Sequence, residues 1–312
     1  MRGWWQDLTD LVLPAECGGC GRPRTVLCPE CRAALSGAAP RRVRPDPEPP
    51  GLPVVHAAAP YEDEVRAALL AHKERGALTL ARPLGTALAG AVRAGLGHLC
   101  LPVPKGLPTA WDGRLRGDNG QLRPGGGHGR APLSGTGSLL LVPLPSSRQA
   151  VRARGHDPAR RIALAAAGEL RRTGAPARVL AVLRQRRAVA DQAGLNSRQR
   201  LDNLAGALEV AAGGARLLAS GGRVVLVDDL MTTGASMTEA ARAVRAAVAE
   251  IDPYLDIDAC VAEAGERMTE ATTVDTDRTQ AARRMAGTSG VDDMICAAVV
   301  AAPPDSFEIN RN

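Results

Sequence analysis

The chain has very few aromatic residues. Its 312 residues include three Trp, two Tyr and one Phe, and none of them lies among the thirteen arginines between Arg148 and Arg200. Proteins that bind single-stranded nucleic acid usually combine basic residues with aromatic side chains on which the bases stack. The basic segment therefore fits small phosphorylated ligands better than nucleic acid, and a solvated arginine-rich surface accounts for part of it.

The chain also lacks long apolar runs. No eighteen consecutive apolar residues occur, so we expect no transmembrane helix and no membrane insertion. Asp7 and Asp10 interrupt the apolar residues near the start, where a signal peptide needs a continuous apolar core. We therefore expect a cytoplasmic protein. A hydrophobic content of 45% is enough for a full α/β core together with a small extra module.

The most informative segment predicts a strand, a loop and a helix. Four apolar residues, Val224 to Val227, precede the adjacent carboxylates Asp228 and Asp229, which is typical of a parallel strand buried on both faces. The small loop that follows consists of Leu230, Met231, Thr232, Thr233, Gly234, Ala235 and Ser236. Free N–H groups at the start of a helix bind phosphate. Carboxylates just before such a loop suit sugar hydroxyls or a hydrated Mg²⁺.

A nucleotide hydrolase is the competing interpretation, because a Walker B strand also ends in an acidic pair. Such an enzyme needs a lysine that follows a glycine-rich loop. The chain has only two lysines, Lys73 and Lys105, and neither follows such a loop. The pattern therefore favours a phosphorylated sugar over a nucleoside triphosphate.

Four cysteines near the N-terminus form the second strong pattern. Two residues separate Cys17 from Cys20, and two separate Cys28 from Cys31, which is the spacing of a tetrahedral zinc site. Protein sulfurs would fill all four ligand positions, so we predict a structural zinc ion. Two disulfides are disfavoured in a cytoplasmic protein, and an iron–sulfur cluster is the remaining alternative.

Together these patterns resemble the ComF family, amidophosphoribosyltransferase-like proteins of the type I phosphoribosyltransferase class that are linked to natural DNA uptake. The strand, acidic pair and Thr-Thr-Gly loop resemble the phosphoribosyl-pyrophosphate signature of that class. Pro60-Tyr61 and the later Lys73-Glu74-Arg75-Gly76 resemble one helix of the family and its end. One position departs from the family pattern, since His156 stands where Phe or Tyr is usual.

The resemblance implies an α/β fold, a type I phosphoribosyltransferase-like parallel sheet flanked by helices, with a small N-terminal zinc module built on the four cysteines. We expect an N-terminal helix and the zinc module in residues 1–36 and a proline-rich linker in 37–53. The phosphoribosyltransferase-like domain would occupy 54–312, with insertions near 103–137 and 251–293. Apolar runs predict strands near residues 54–58, 139–142, 178–183, 206–210, 223–228 and 295–301.

The resemblance also implies roles for individual residues. Asp228 and Asp229 would hold the ribose hydroxyls, and the loop 230–236 would hold the 5-phosphate. Arg154 and Arg187 would add positive charge as pyrophosphate leaves. The turn that would bind the magnesium-bound pyrophosphate consists of Pro145, Ser146, Ser147 and Arg148.

The expected function is that of a phosphoribosyl-pyrophosphate-binding glycosyltransferase of nucleotide metabolism. It would carry out Mg-dependent transfer at the anomeric carbon of ribose to an unidentified base or amine. The alternative is a non-catalytic protein that senses phosphoribosyl pyrophosphate or assists DNA uptake in competence. Its partner would then be a DNA-uptake helicase or single-stranded DNA.

Overall fold

The computed structural model describes residues 16–98, 138–187, 196–219, 222–251 and 295–307. The N-terminal helix expected before the cysteines lies outside the described residues. So do the expected insertion near 103–137 and, apart from residue 251, the one near 251–293.

A mostly parallel six-stranded sheet forms the centre of the molecule, and its order is β1-β2-β8-β7-β3-β4. Strand β1 is antiparallel to β2, and the other neighbouring pairs are parallel. Strands β5 and β6 form a separate antiparallel pair. In chain order the strands are β1 (Arg41–Val43), β2 (Val55–Pro60), β3 (Ser138–Pro143), β4 (Ala177–Val179), β5 (Leu183–Gln185), β6 (Leu208–Val210), β7 (Gly222–Leu230) and β8 (Ile295–Ala302).

Helices cover both faces of the sheet. They are α1 (Pro29–Ser36), α2 (Asp63–Lys73), α3 (Ala81–His98), α4 (Arg148–Arg154), α5 (Pro158–Arg172), α6 (Ser197–Leu204), α7 (Gly214–Ala219) and α8 (Ala235–Ala249), with 3-10 turns at Leu78–Leu80 and Pro304–Ser306. Side-chain caps fix several starts: Ser147 accepts from the Ala150 N–H before α4, and Asp157 accepts from the Arg160 N–H before α5. None of the helices in the described ranges is long and apolar enough to cross a membrane.

The central strands bury alternate residues in two different cores. On β7, Val225 and Val227 belong to the core that contains residues of α2, α3 and α5. Val224 and Leu226 belong to the core formed with α7 and α8. Successive side chains of a strand point to opposite faces, so an uninterrupted apolar run is what a strand buried on both faces requires.

The expected α/β architecture, a mostly parallel sheet flanked by helices, is confirmed. Three details differ from the sequence predictions. The strand expected near 178–183 is two strands, β4 and β5, and the strand expected near 206–210 is β6, which lies outside the main sheet. The segment expected to be a linker contributes β1, in which Arg41 pairs with Ala57 and Val43 with Val55. Three-residue strands carry too few side chains to show a period of two, which is why sequence periodicity does not resolve them.

The N-terminal cysteine module shares its core with the sheet. Cys17, Cys28 and Cys31 are buried in the same cluster as Leu69 of α2 and Ala58 of β2. The residues from Cys17 to Cys20 form a first knuckle, and those from Cys28 to Cys31 a second. A Cβ added at Gly18 would lie 2.5 Å from Cδ1 of Leu80, so the first knuckle lies directly against the body of the protein. The module is therefore part of one continuous core.

The crossing of α3 over α5 gives a testable prediction. A Cβ at Gly85 would lie 2.5 Å from Cβ of Ala165 and 2.8 Å from the backbone N of Ala166. Since backbone cannot give way cheaply, we expect Gly85→Ala to destabilise the protein by about 1–3 kcal/mol in denaturant unfolding. Gly168→Ala in α5 is the control: its Cβ meets no atom within 4 Å, and alanine should stabilise the helix by about 0.5–1 kcal/mol. Equal effects of the two substitutions would contradict this packing.

Candidate functional site

The carboxyl ends of β3 and β7 meet at one edge of the sheet. Their register pairs Pro143 with Val227, and the N–H of Leu144 donates to the carbonyl oxygen of Val227 at 3.0 Å. The turn after β3 therefore lies beside the acidic pair of β7. Ligands of open parallel sheets bind outside the carboxyl ends of the strands, so this edge is the expected place for a site.

A cleft of about 390 Å³ opens at this edge. The sequence-predicted residues that line it are Pro145, Ser146, Ser147, Arg154, Asp228, Asp229, Leu230, Thr232 and Ser236. A smaller cavity of about 40 Å³ shares some of these residues and adds the rest of the loop, Met231, Thr233, Gly234 and Ala235. The structure thus brings together residues that are up to about ninety positions apart in the chain.

The acidic pair is held by its own hydrogen bond and by a lysine. The N–H of Asp229 donates to Oδ1 of Asp228 at 2.8 Å, and Nζ of Lys73 lies 3.1 Å from Oδ2 of Asp229. Burial raises the pKa of Asp228 well above its ordinary value, and the neighbouring Asp229 raises it further, while Lys73 lowers it. The ionised pair is therefore stabilised when it takes up a proton or accepts a hydrogen bond from a ligand.

The loop after the acidic pair ends in the first turn of α8. Gly234 has a φ of 75°, a left-handed conformation that favours glycine, and no side chain of the described residues caps the helix. The first N–H groups of an α-helix lack partners within it, and the positive end of the helix dipole lies there. With the hydroxyls of Thr232 and Ser236 on the cleft wall, this corner has the chemistry of an anion-binding site.

Arg154 brings positive charge into the same cleft from the end of α4. Its side chain is 19% exposed, and its Nε lies 3.8 Å from Oε2 of Glu74. Its Nη1 is buried and has no hydrogen-bond partner among the described residues. A buried donor without a partner costs free energy, so this nitrogen is suited to bind a ligand oxygen.

Two predicted arginines are not among the residues that line the cleft. Arg148 opens α4 and is exposed. Nη2 of Arg187 donates to the carbonyl oxygens of Asn203 at 2.8 Å and Ala205 at 3.0 Å. Arg187 thus fastens the chain to the end of α6 in this structure.

Three residues of the site were not predicted from the sequence. Lys73 lines the cleft although it is 156 positions from Asp229. His72 and His156 are buried behind it, with ring centroids 5.6 Å apart, and burial lowers the pKa of His72. No local spacing links these residues to the acidic pair; the resemblance of Lys73-Glu74-Arg75-Gly76 to a family motif was the one available signal.

The wall of the cleft that carries Gln185 and Leu208 is fastened to α8 by a buried carboxylate. Oε1 of Glu239 accepts from the N–H of Leu208 at 3.0 Å, and its Oε2 pairs with Nε of Arg242 at 2.7 Å. Although burial alone raises it, these hydrogen bonds hold the pKa of Glu239 below its ordinary value. The β5–β6 pair is therefore anchored to α8, the same helix that begins at the loop 230–236.

The four cysteines form a second, separate site. Their sulfur atoms all lie within 4.8 Å of one another, and Sγ of Cys20 is 3.6 Å from Sγ of Cys28. Sulfurs at about 2.3 Å from a tetrahedral metal would be about 3.8 Å apart, whereas a disulfide needs about 2.05 Å. Burial raises the pKa of Cys17, but backbone hydrogen bonds from Cys20, Cys28 and Gly19 outweigh it and lower the pKa to about 6. The cluster could bind a metal ion.

Glycine makes the convergence of the sulfurs sterically feasible. A Cβ at Gly19 would lie 2.6 Å from Sγ of Cys31, so a larger residue there would displace a ligand atom. Gly21 has a φ of 77°, and its N–H donates to the carbonyl oxygen of Cys17 at 2.9 Å. This tight turn aims both sulfurs of the first knuckle at the second.

Comparisons with known proteins identify no family: no protein-family model matches the chain, and no curated protein matches it significantly.

The raised pKa of Asp228 gives a stability prediction. Ionising Asp228 in the fold costs free energy that the neutral, isosteric amide of Asp228→Asn avoids. The native stability contributed by the protonated carboxyl is fully present below the ordinary pKa of 3.8 and is lost as pH rises through the raised value. We expect Asp228→Asn to raise the Tm at about pH 8 and to have little effect below about pH 4.

The control for that measurement is Asp305→Asn, at an exposed position of the last 3-10 turn. It removes the same charge and should change the Tm little at either pH. A lower Tm for Asp228→Asn at about pH 8 would show that ionised Asp228 stabilises the fold.

Proposed function

We propose that this protein binds phosphoribosyl pyrophosphate and belongs to the phosphoribosyltransferase-like proteins, with a type I phosphoribosyltransferase-like sheet. One observation carries the proposal: two adjacent carboxylates near the end of a central parallel strand are followed, after the short loop 230–234, by a helix start that no side chain of the described residues caps, and both line one cleft. Carboxylates repel phosphate but accept hydrogen bonds from hydroxyls, whereas a helix start attracts phosphate. A sugar with vicinal hydroxyls beside a phosphate suits both.

The cleft gives each part of such a ligand a chemically distinct surrounding. Asp228 and Asp229 accept hydrogen bonds from the ribose 2- and 3-hydroxyls, and the loop 230–236 holds the 5-phosphate. The turn Pro145 to Ser147 and the guanidinium of Arg154 receive the pyrophosphate. This distribution of charge orients the ligand, because exchanging its ends would place phosphates against the carboxylates.

The reaction that follows from this arrangement is displacement at the anomeric carbon of the ribose. The acceptor's lone pair forms the new bond to that carbon, the bond to the pyrophosphate oxygen breaks, pyrophosphate leaves with the electron pair, and the acceptor nitrogen gives up its proton to the departing pyrophosphate or to water. Charge develops on the sugar and on the departing oxygen, so Arg154 stabilises the leaving group electrostatically. Mg²⁺, when bound with the ligand, neutralises pyrophosphate charge, and carboxylate oxygens are ligands that suit it.

A second function is favoured by arginines outside the cleft. Arg160 and Arg161 of α5 and Arg152 of α4 are exposed and are not among the cleft residues. Exposed arginines can pair with the phosphates of a polyanion, and they support the alternative of a non-catalytic sensor or DNA-uptake protein that retains the phosphoribosyl site. Pyrophosphate release measured over a panel of base and amine acceptors separates the two functions, since only a transferase releases it in an acceptor-dependent manner.

We also propose that the four cysteines bind one structural zinc ion. Four sulfur atoms within 4.8 Å of one another suit the preference of zinc for four thiolates, and a fourfold thiolate site leaves no position for substrate. The ion would join the first knuckle to the start of α1, whose N-cap is Cys28.

The zinc proposal predicts the metal content and its effect on stability. We expect about one zinc per chain in elemental analysis, and loss of the metal in Cys28→Ser. Because the module shares its core with the sheet, the variant should lower the Tm of the whole protein. Cys296→Ala, which removes a buried thiol of β8, is the control and should retain the metal. Purified protein without zinc, with the four cysteines oxidised in pairs, would contradict the proposal.

Calorimetric titration tests the phosphoribosyl proposal. We expect wild-type protein to bind phosphoribosyl pyrophosphate in the presence of Mg²⁺, and Asp228→Asn to weaken binding by about 1.5–3 kcal/mol, because a charged acceptor for a ribose hydroxyl is lost. Asp305→Asn should bind as the wild type does. Wild-type protein that does not bind this ligand would overturn the proposed function.

A further inference from the structure

We propose, resting on the function above, that Lys73 and Arg154 together form the receptor for the diphosphate end of the ligand, and that His156 positions both. Neither Lys73 nor His156 was expected at the site from the sequence. Lys73 and Arg154 would then distinguish a diphosphate-bearing sugar from its monophosphate.

Lys73 is the first element of this receptor. It is the last residue of α2, its side chain is 36% exposed, and it lines the cleft together with Ser146 and Ser147. An ammonium group has three donors. Among the described residues its only hydrogen-bond partner is Asp229, whose two carboxylate oxygens lie 3.1 and 3.4 Å away. A donor is therefore left for an oxygen in the cleft.

Arg154 is the second element. Lys73 pairs with Asp229, whereas the Nε of Arg154 lies near Glu74, so the two cations reach the cleft with different carboxylate neighbours. Burial lowers the pKa of Lys73 and the nearby Arg154 lowers it further, but Asp229 and Asp228 outweigh both and raise it. An anionic group between the two cations relieves their repulsion and satisfies the buried Nη1 of Arg154.

His156 contacts the ends of the two helices that carry these cations. Its Nε2 lies 3.2 Å from the carbonyl oxygen of His72, the residue before Lys73, and its Nδ1 lies 3.1 Å from the carbonyl oxygen of Arg154. The imidazole is buried, and it lies between the end of α2 and the end of α4. Both carbonyl oxygens are acceptors, so a neutral imidazole donates its one N–H to either of them, whereas a phenyl ring could donate to neither. His156 is thus a positioning residue for Lys73 and Arg154.

The experiment compares two partial ligands, inorganic pyrophosphate with Mg²⁺ and ribose 5-phosphate, by calorimetric titration. Lys73→Met keeps the aliphatic stem and removes the charge. We expect it to weaken pyrophosphate binding roughly tenfold or more while ribose 5-phosphate affinity changes much less. Lys73→Arg should restore part of the loss. Arg75→Met, the same charge removal at an exposed residue outside the cleft, should leave both affinities unchanged.

A double variant separates anion binding by Lys73 from simple neutralisation of Asp229. The double variant Lys73→Met/Asp229→Asn removes both members of the ion pair. No buried carboxylate is then left without its cation, so charge balance is restored. If Lys73 contacts the diphosphate, the double variant still binds pyrophosphate weakly. Recovery of wild-type pyrophosphate affinity in the double variant would overturn the role of Lys73.

His156→Phe tests the positioning role. We expect weaker pyrophosphate binding with little change for ribose 5-phosphate, because only the two cations lose their support. A changed Tm with unaltered pyrophosphate affinity would show a packing role alone and overturn the inference for His156.

The outcomes also separate this inference from the proposed function. Wild-type protein that binds pyrophosphate but not phosphoribosyl pyrophosphate would overturn the proposed function and leave the two-cation receptor to be judged by the variants. Wild-type protein that binds ribose 5-phosphate but not pyrophosphate would overturn the two-cation receptor. It would still agree with binding of the 5-phosphate by the loop 230–236. Binding of neither would overturn both.

Discussion

Strand β7 must be apolar on both faces from Val224 to Val227 and charged immediately afterwards, and the rest of the molecule follows from that constraint. Its inner residues contribute to both cores, so each must be apolar. The strand passes out of these cores where Asp228 and Asp229 begin. Because β3 runs parallel to it with Pro143 opposite Val227, a second chain segment reaches the same edge at the same height.

The carboxylates at this edge demand compensation from distant parts of the chain. Two adjacent acids in a partly desolvated place repel each other and favour protonation. The fold supplies Lys73 from α2 and Arg154 from α4 and keeps both within the cleft. The part of the chain that the structure describes also supplies no side-chain cap for the start of α8. The buried charges and the uncapped helix start cost stability. They also give the cleft charged and polar groups that are already in place to interact with a ligand.

The sequence predicted what depends on local pattern. The apolar run before Asp228, the polar loop after it and the spacing of the cysteines each express a requirement that neighbouring residues must meet together. Lys73 and His156 depend instead on how α2 and α4 end in space, which no local spacing encodes. Strands β1, β4 and β5 are too short for periodicity to be visible. Arg187 shows the opposite case, a residue with suitable chemistry whose guanidinium bonds to carbonyls at the end of α6.

The strand order has a consequence for how the protein is made. Strand β8 comes last in the chain among the strands of the sheet, yet it lies between β2 and β7. During synthesis neither β2 nor β7 can pair along its full length with β8 until residue 302 has emerged from the ribosome. Until then β2 and β7 each have an unpaired edge, and such edges attract other chains. The decisive pairing is therefore long-range and late, a topology that folds slowly and favours assistance from chaperones while the chain is incomplete.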